Sequence, residues 1–163
     1  MFDKFGKMSY DELIRTAKAE KEEGDEEALI ALAQENGLDQ EEAEDYMDGL
    51  KEVLCTPKEA ALARIEMEFK ELNISGIWEE WEALILEMCI AGEDLSHAVC
   101  RKDRSLLGLF GKLLKLGFDS KQRVDKRICR EAGLNDNVYI GIPTTPQVME
   151  AVCDYYSKDE GEK

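Results

Sequence analysis

Apolar residues recur along most of the chain at intervals of three and four, the period of one helix face, and short polar or glycine punctuation cuts the pattern into segments. Ser9-Tyr10-Asp11-Glu12 has the form of a capping box, in which the serine hydroxyl satisfies an orphan N–H and Glu12 reaches back to the cap. The helix it opens should end near Gly24. Asp25 can cap the next, with Glu26 and Glu27 facing the positive dipole end and Gly37 closing it. Asp39 to Glu42 repeats the capping pattern, and Gly49 ends a third helix, so three short helices are predicted over about residues 10–48. Thr56-Pro57 places a cap before a proline at the first helical position and opens a helix towards Asn73. From Ile77, the set Trp78, Trp81, Leu84, Ile85 and Met88 continues the helical spacing and predicts an amphipathic helix with both tryptophans turned inward.

Leu106 to Leu116 is apolar nearly all round, which predicts a central core helix stopped at Gly117. A further helix is expected from about Ser120 to Gly133. A turn over Asn135 to Asn137 and one short strand over 138–142 follow. Thr145-Pro146 should cap a last helix carrying Val148, Met149, Val152 and Tyr156, with a frayed polar tail from Lys158. The resulting expectation is an all-α protein of about seven to nine helices with at most one short strand element. It comprises an acidic N-terminal helical subdomain over 1–50 and a main helical core over 51–163 that includes a basic segment, 101–130.

Composition narrows the class. Apolar residues make up 44% of the 163 residues and only 3 are proline, which excludes wholesale disorder and favours helix over sheet. The 5 cysteines (Cys55, Cys89, Cys100, Cys129 and Cys153) are odd in number and widely spaced, so free buried thiols in a reducing compartment are expected. The first residues lack the basic cluster and apolar run of a signal peptide, and nothing is long and apolar enough to span a membrane. A cytoplasmic protein is the expectation, with no membrane partner.

Charge then divides the chain. Its net charge is −16, yet residues 1–100 carry 27 acids against 9 Lys and Arg, whereas residues 101–130 carry 3 acids against 10. The acidic candidates for partner binding are Glu22, Glu23, Asp25, Glu26, Glu27, Glu41, Glu42, Glu44, Asp45 and Asp48. Helices displaying carboxylates this densely can resemble a phosphate backbone to a basic nucleic-acid channel, or they can simply form a solvated face. The order of acids from Asp39 to Gly49 is not that of an EF-hand loop, and no metal or other cofactor is expected. The basic candidates for nucleic-acid contact are Arg101, Lys102, Arg104, Lys121, Arg123, Lys126, Arg127 and Arg130. On one continuous helix Arg123, Arg127 and Arg130 would form a stripe beside Lys126, with Val124 and Ile128 facing the core. Such a ridge suits phosphates, an acidic surface or another copy of this protein; equally, its arginines could pair with the acidic first half.

Catalytic patterns are absent from the sequence. His97 is the only histidine, which excludes two-histidine metal sites. Glu93 stands four residues before it, and Cys89 or Cys100 could pair with it geometrically, but no known nucleophile pattern surrounds either cysteine. A phosphate-binding glycine loop is also missing. The chain is expected not to be an enzyme.

Met1-Phe-Asp-Lys-Phe-Gly6, Glu23-Gly-Asp-Glu-Glu-Ala-Leu29, Glu35-Asn-Gly-Leu-Asp39 and Glu44-Asp-Tyr-Met-Asp-Gly49 resemble small accessory proteins of phages and conjugative elements in gut anaerobes. Gly141-Ile-Pro143 and Met149 to Tyr156 are similar to the same group. The resemblance covers about a third of the chain. Some proteins of that group inhibit the RNA-guided nucleases of type II CRISPR systems. The resemblance therefore implies a mobile-element setting, and an anti-CRISPR inhibitor that binds such a nuclease or its RNA complex and blocks DNA binding or cleavage. The alternative is a nucleic-acid-binding regulator of the element that uses the expected basic helix over 120–132. A homodimer fits either.

Overall fold

A computed structural model describes residues 4–158, so the tail beyond Lys158 lies outside the described residues. These residues form nine helices and one two-stranded antiparallel sheet, a mainly α fold. The elements are α1 (Tyr10–Glu23), α2 (Glu26–Glu35), α3 (Gln40–Met47), α4 (Pro57–Leu72), α5 (Ile77–Ala91), α6 (Glu93–Val99), α7 (Leu106–Asp119), β1 (Gln122–Arg123), α8 (Lys126–Glu131), β2 (Tyr139–Ile140) and α9 (Thr145–Ser157).

Local chemistry sets most of the boundaries. At α1, Ser9 Oγ accepts the Glu12 N–H at 3.4 Å and Glu12 Oε2 accepts the Ser9 N–H at 3.1 Å. Asp25 Oδ1 caps α2 by accepting the Ala28 N–H at 2.9 Å. Thr56 and Glu59 make the same reciprocal pair ahead of α4, with Pro57 leading the helix. The expected box at α3 does not form: Asp39 makes no side-chain cap, and the Glu42 carboxylate is drawn instead to Lys51. α9 begins one residue earlier than Thr145-Pro146 suggested, with Thr144 as the cap and its N–H given to Gln147 Oε1 at 2.9 Å.

Three differences matter for function. The helix expected over 120–133 is broken. Ser120 ends α7, residues 122–123 extend into β1, and Asp125 starts α8 afresh by accepting the Arg127 N–H at 2.8 Å. β1 pairs with β2 in the register Gln122 with Ile140 and Arg123 with Tyr139, and Val124 donates to Val138 O at 2.9 Å. α7 is not buried all round: Leu106, Leu109, Phe110 and Leu113 face the core, while Leu107, Leu114 and Phe118 are exposed. Nor does Gly117 stop it. That glycine lies inside the helix, where the backbone of Gly141 presses so close that a Cβ would collide with its carbonyl. α6, which the apolar pattern did not announce, is a short polar-rich helix after Gly92.

One cluster of buried side chains runs from Leu13 through Leu29, Leu32, Leu54, Ile65, Ile85 and Leu109 to Tyr156, so α1–α3 share a core with the later helices. The Trp78 and Trp81 rings pack edge to face at 5.1 Å, and both meet Phe110. Trp81 is buried and Trp78 half-buried. Polar anchors tie the N-terminal segment to this core. Buried Arg64 donates to Met8 O and to Arg101 O, and Glu68 accepts both Lys7 Nζ and the Leu106 N–H at 2.5 Å each. Gly37 has φ of +81° and sits so near α4 that a Cβ would lie 2.6 Å from Ala63 O.

Candidate interaction surfaces

The acidic surface is assembled from two stretches of chain. Glu22, Glu23, Asp25, Glu26 and Glu27 are all exposed around the α1–α2 turn. Lys21 reaches from this turn to Tyr46 O and lies 4.2 Å from the Tyr46 ring centroid. It thereby brings the turn against the C-terminal end of α3, where half-buried Asp45 and exposed Asp48 sit. Burial, and then the charge of Glu22, push the Tyr46 phenol above its ordinary value, which agrees with that proximity. Local neutralisation is sparse. Lys18 stands 3.8 Å from Glu22, Lys4 is 4.0 Å from Asp25, and Lys51 pairs with Glu42. Among the described residues no ion pair reaches Glu23, Glu26, Glu27, Glu41, Glu44, Asp45 or Asp48; Glu44 accepts only the Gln40 amide at 2.5 Å.

The basic segment does not form one surface. Its first part, 101–104, is a knot of internal pairs. Arg101 holds Asp103 through two contacts of 2.9 and 2.8 Å, and Lys102 pairs with Glu12 at 2.8 Å. Hydrogen bonds from Arg101 and Lys102 keep the Asp103 and Glu12 carboxyls below the usual range. Arg104, expected to meet nucleic acid, is only 7% exposed. Its guanidinium donates to Tyr155 O at 2.7 Å, to Lys158 O at 2.8 Å and to Asp103, which locks the start of α7 to α9. It is a packing residue, because its fork of donors matches carbonyls that the end of α9 leaves open.

The second part, 121–130, belongs to a lobe made of β1, α8 and β2. Arg123 is on β1, not on the α8 stripe, and donates to Asp136 O at 3.0 Å. Lys126 lies 4.0 Å from Asp136, and Arg127, 88% exposed, is clasped by Asp125 at 2.9 and 3.0 Å. Lys121 covers the Phe118 ring at 3.8 Å. Arg130 is exposed in the last turn of α8, where its charge complements the helix dipole. The side chain of this helix that faces the core is Cys129, whereas Ile128, expected inside, points out.

The lobe carries the surface feature the sequence reading missed. Ile128, Ile140 and Ile142 are 62%, 58% and 59% exposed and line, with Val124, Arg123 and Thr144, one groove of about 610 Å³. The β-branched run Val138 to Ile142 and the all-round apolar pattern of α7 were the available signals. The first predicts only a short strand and the second a central core helix, so neither announces an exposed apolar face.

His97 is exposed and meets the Tyr10 ring edge-on at 4.8 Å. Burial pushes the Cys55 and Cys89 thiols up to about 12 and the Cys100 thiol up to about 11, so these sulfurs stay protonated and unreactive near neutrality. Cys153, expected buried, is exposed. A thiol titration with a chromogenic disulfide should therefore detect one fast equivalent in native protein and all 5 after denaturation. Fast reaction of several thiols in the native state would show that the cysteines on α5 and around α4 are not buried as described. No family model, no curated protein and no solved structure matches the chain.

Proposed function

We propose that the chain acts by binding rather than catalysis, as an anti-CRISPR-type inhibitor of a type II RNA-guided nuclease. Its acidic surface would compete for the positively charged channel that holds guide and target nucleic acid. The observation that carries this reading is the group of exposed carboxylates around the α1–α2 turn, of which Glu23, Glu26 and Glu27 take part in no ion pair among the described residues, set beside those at the end of α3. Paired acids offer a partner little net field. Unpaired acids on a packed scaffold keep their full charge and hold it in a fixed arrangement, which speeds association with a basic groove and repels free nucleic acid. The basic knot at 101–104 contributes to folding, not to the partner.

The alternative, a regulator gripping phosphates through residues 120–132, has weaker support. The continuous ridge it needs is split between β1 and α8, and most cations there already have local acceptors.

Cleavage of a target duplex by a guide-loaded type II nuclease should slow when this protein is added, and the effect should weaken as salt shortens the Debye length from about 10 Å at 0.1 M to about 3 Å at 1 M. Changing Glu22, Glu23, Glu26 and Glu27 to lysine should raise the protein needed for half-inhibition by about tenfold or more, a change of roughly 1.4 kcal/mol or above in binding. Undiminished cleavage at every salt concentration would reject the inhibitor reading.

A further inference from the structure

We infer that the groove between α5 and α9 docks a basic amphipathic helix of a partner protein, seating apolar side chains of that helix on Leu84 and its cations against Glu80 and Glu87. The groove has a volume of about 400 Å³. Ile77, Trp81 and Leu84 line it from α5, and Pro143 and Val148 line it from just before and within α9. Ile77 is exposed and Leu84 half-buried, so apolar surface is open to a visitor. The charged residues lining the groove are Glu80 and Glu87, and both are exposed. Among the described residues no ion pair reaches either carboxylate.

Charge selects the occupant. Residues 71–100 hold seven acids and no lysine or arginine, and residues 131–157 hold four acids and again neither. Both walls of the groove come from these two stretches. The α4 side of α5 is acidic as well: burial, and then the charges of Glu66 and Glu79, push the Glu82 carboxyl above its ordinary value. A field of one sign around apolar side chains attracts cations that bring apolar side chains with them. It repels phosphates, so nucleic acid and anionic membranes fit poorly, and a second copy brings a net −16 of its own. Spacing then selects a helix. Glu80, Leu84 and Glu87 follow one another at four and three residues and share one side of α5, which sets the two glutamates two turns, or about 10.5 Å, apart. A partner helix matches this with Lys or Arg at i and i+7 and leucines between them. Same-side residues of an extended segment repeat about every 6.6 Å, which misses that interval. None of these residues belongs to the acidic surface of α1–α3, so the site stands whether or not the inhibitor reading does.

The probe is a fluorescein-labelled helical peptide with arginines at i and i+7 and leucines at i+3 and i+4, titrated with the full chain and read by anisotropy. It should bind, and more weakly as salt rises. Glu80→Lys with Glu87→Lys should weaken it by about tenfold or more, with an unchanged circular dichroism spectrum because both side chains are exposed. Glu52→Lys with Glu131→Lys makes the same change of charge at exposed positions outside the groove, and should leave the affinity within about twofold. A peptide with alanines in place of the leucines should not bind. Absence of binding up to about 1 mM, equal loss in the two lysine pairs, or full binding of the alanine peptide overturns the inference. The last two would leave only a general attraction to a chain of net charge −16. A dimer of the 18.5 kDa chain in sedimentation velocity that Ile77→Glu dissolves would overturn it too, by placing a second copy in the groove. Undiminished nuclease cleavage beside intact peptide binding would sink only the inhibitor reading.

Discussion

Glu68→Ala should lower the stability of the fold by about 3 kcal/mol, the largest loss expected from any single side chain outside the apolar core. The Glu68 carboxylate has a side-chain exposure of 11% and serves two donors at once, Lys7 Nζ and the N–H of Leu106. That N–H is the first of α7, one of the orphan donors every helix start must satisfy. Alanine would strand it beside an ammonium left without its carboxylate. Lys7 keeps 32% side-chain exposure and a second contact at 3.0 Å to Arg104 O, so water can reach it. The loss should therefore fall at the lower end of the roughly 3–5 kcal/mol found when one partner of a buried pair is removed. Urea denaturation read by tryptophan fluorescence measures this directly. Lys7→Met alone should cost less, since Glu68 would still hold the helix start. A loss below about 1 kcal/mol for Glu68→Ala, the value of a surface pair, would show that the residue does not staple the N-terminal segment to α7.

Gly117→Ala should also destabilise, with a sign opposite to helix propensity. In the interior of an exposed helix, glycine to alanine gains about 1 kcal/mol. At position 117 the new methyl would run into the carbonyl of Gly141 and within 3.1 Å of Pro143 Cδ, and these are parts of the chain that cannot rotate away as a side-chain tip can. Overpacking of this kind costs roughly 1–3 kcal/mol, which outweighs the propensity gain. The damage should be local. Hydrogen exchange should accelerate at the Val124 amide, which donates to Val138 O inside the lobe, while amides of α2 and α5 keep their protection. A stabilised variant would mean that the segment around Gly141, which follows β2, is free to shift and that the lobe is not seated on α7.

How much was readable in advance follows from the range of the interactions involved. Ser9 with Glu12, Asp25 with Ala28 and Thr56 with Glu59 are contacts over three residues, and all were visible as patterns before any fold was known. The box expected at α3 does not form, because Lys51, nine residues away from Glu42, competes for the same carboxylate. The helix expected over 120–133 failed for a related reason. Its apolar spacing was helical enough, but Asp125 caps a new start and the Val124 N–H finds Val138 across the lobe.

The candidate surfaces show the same division. That the first half is acidic and that residues 101–130 are basic was determined by composition alone, as were the helical class and the positions of most caps. Which charges remain available was decided only by tertiary structure. Arg101, Lys102 and Arg104 lie close in sequence to Lys121 and Arg123, yet Asp103, Glu12 and the carbonyls of α9 engage them. Exposure is likewise a property of neighbours. Ile128 and Cys129 are adjacent in sequence, and the fold buries the cysteine and leaves the isoleucine in water, because one turn of helix can set only one side against the body it packs on.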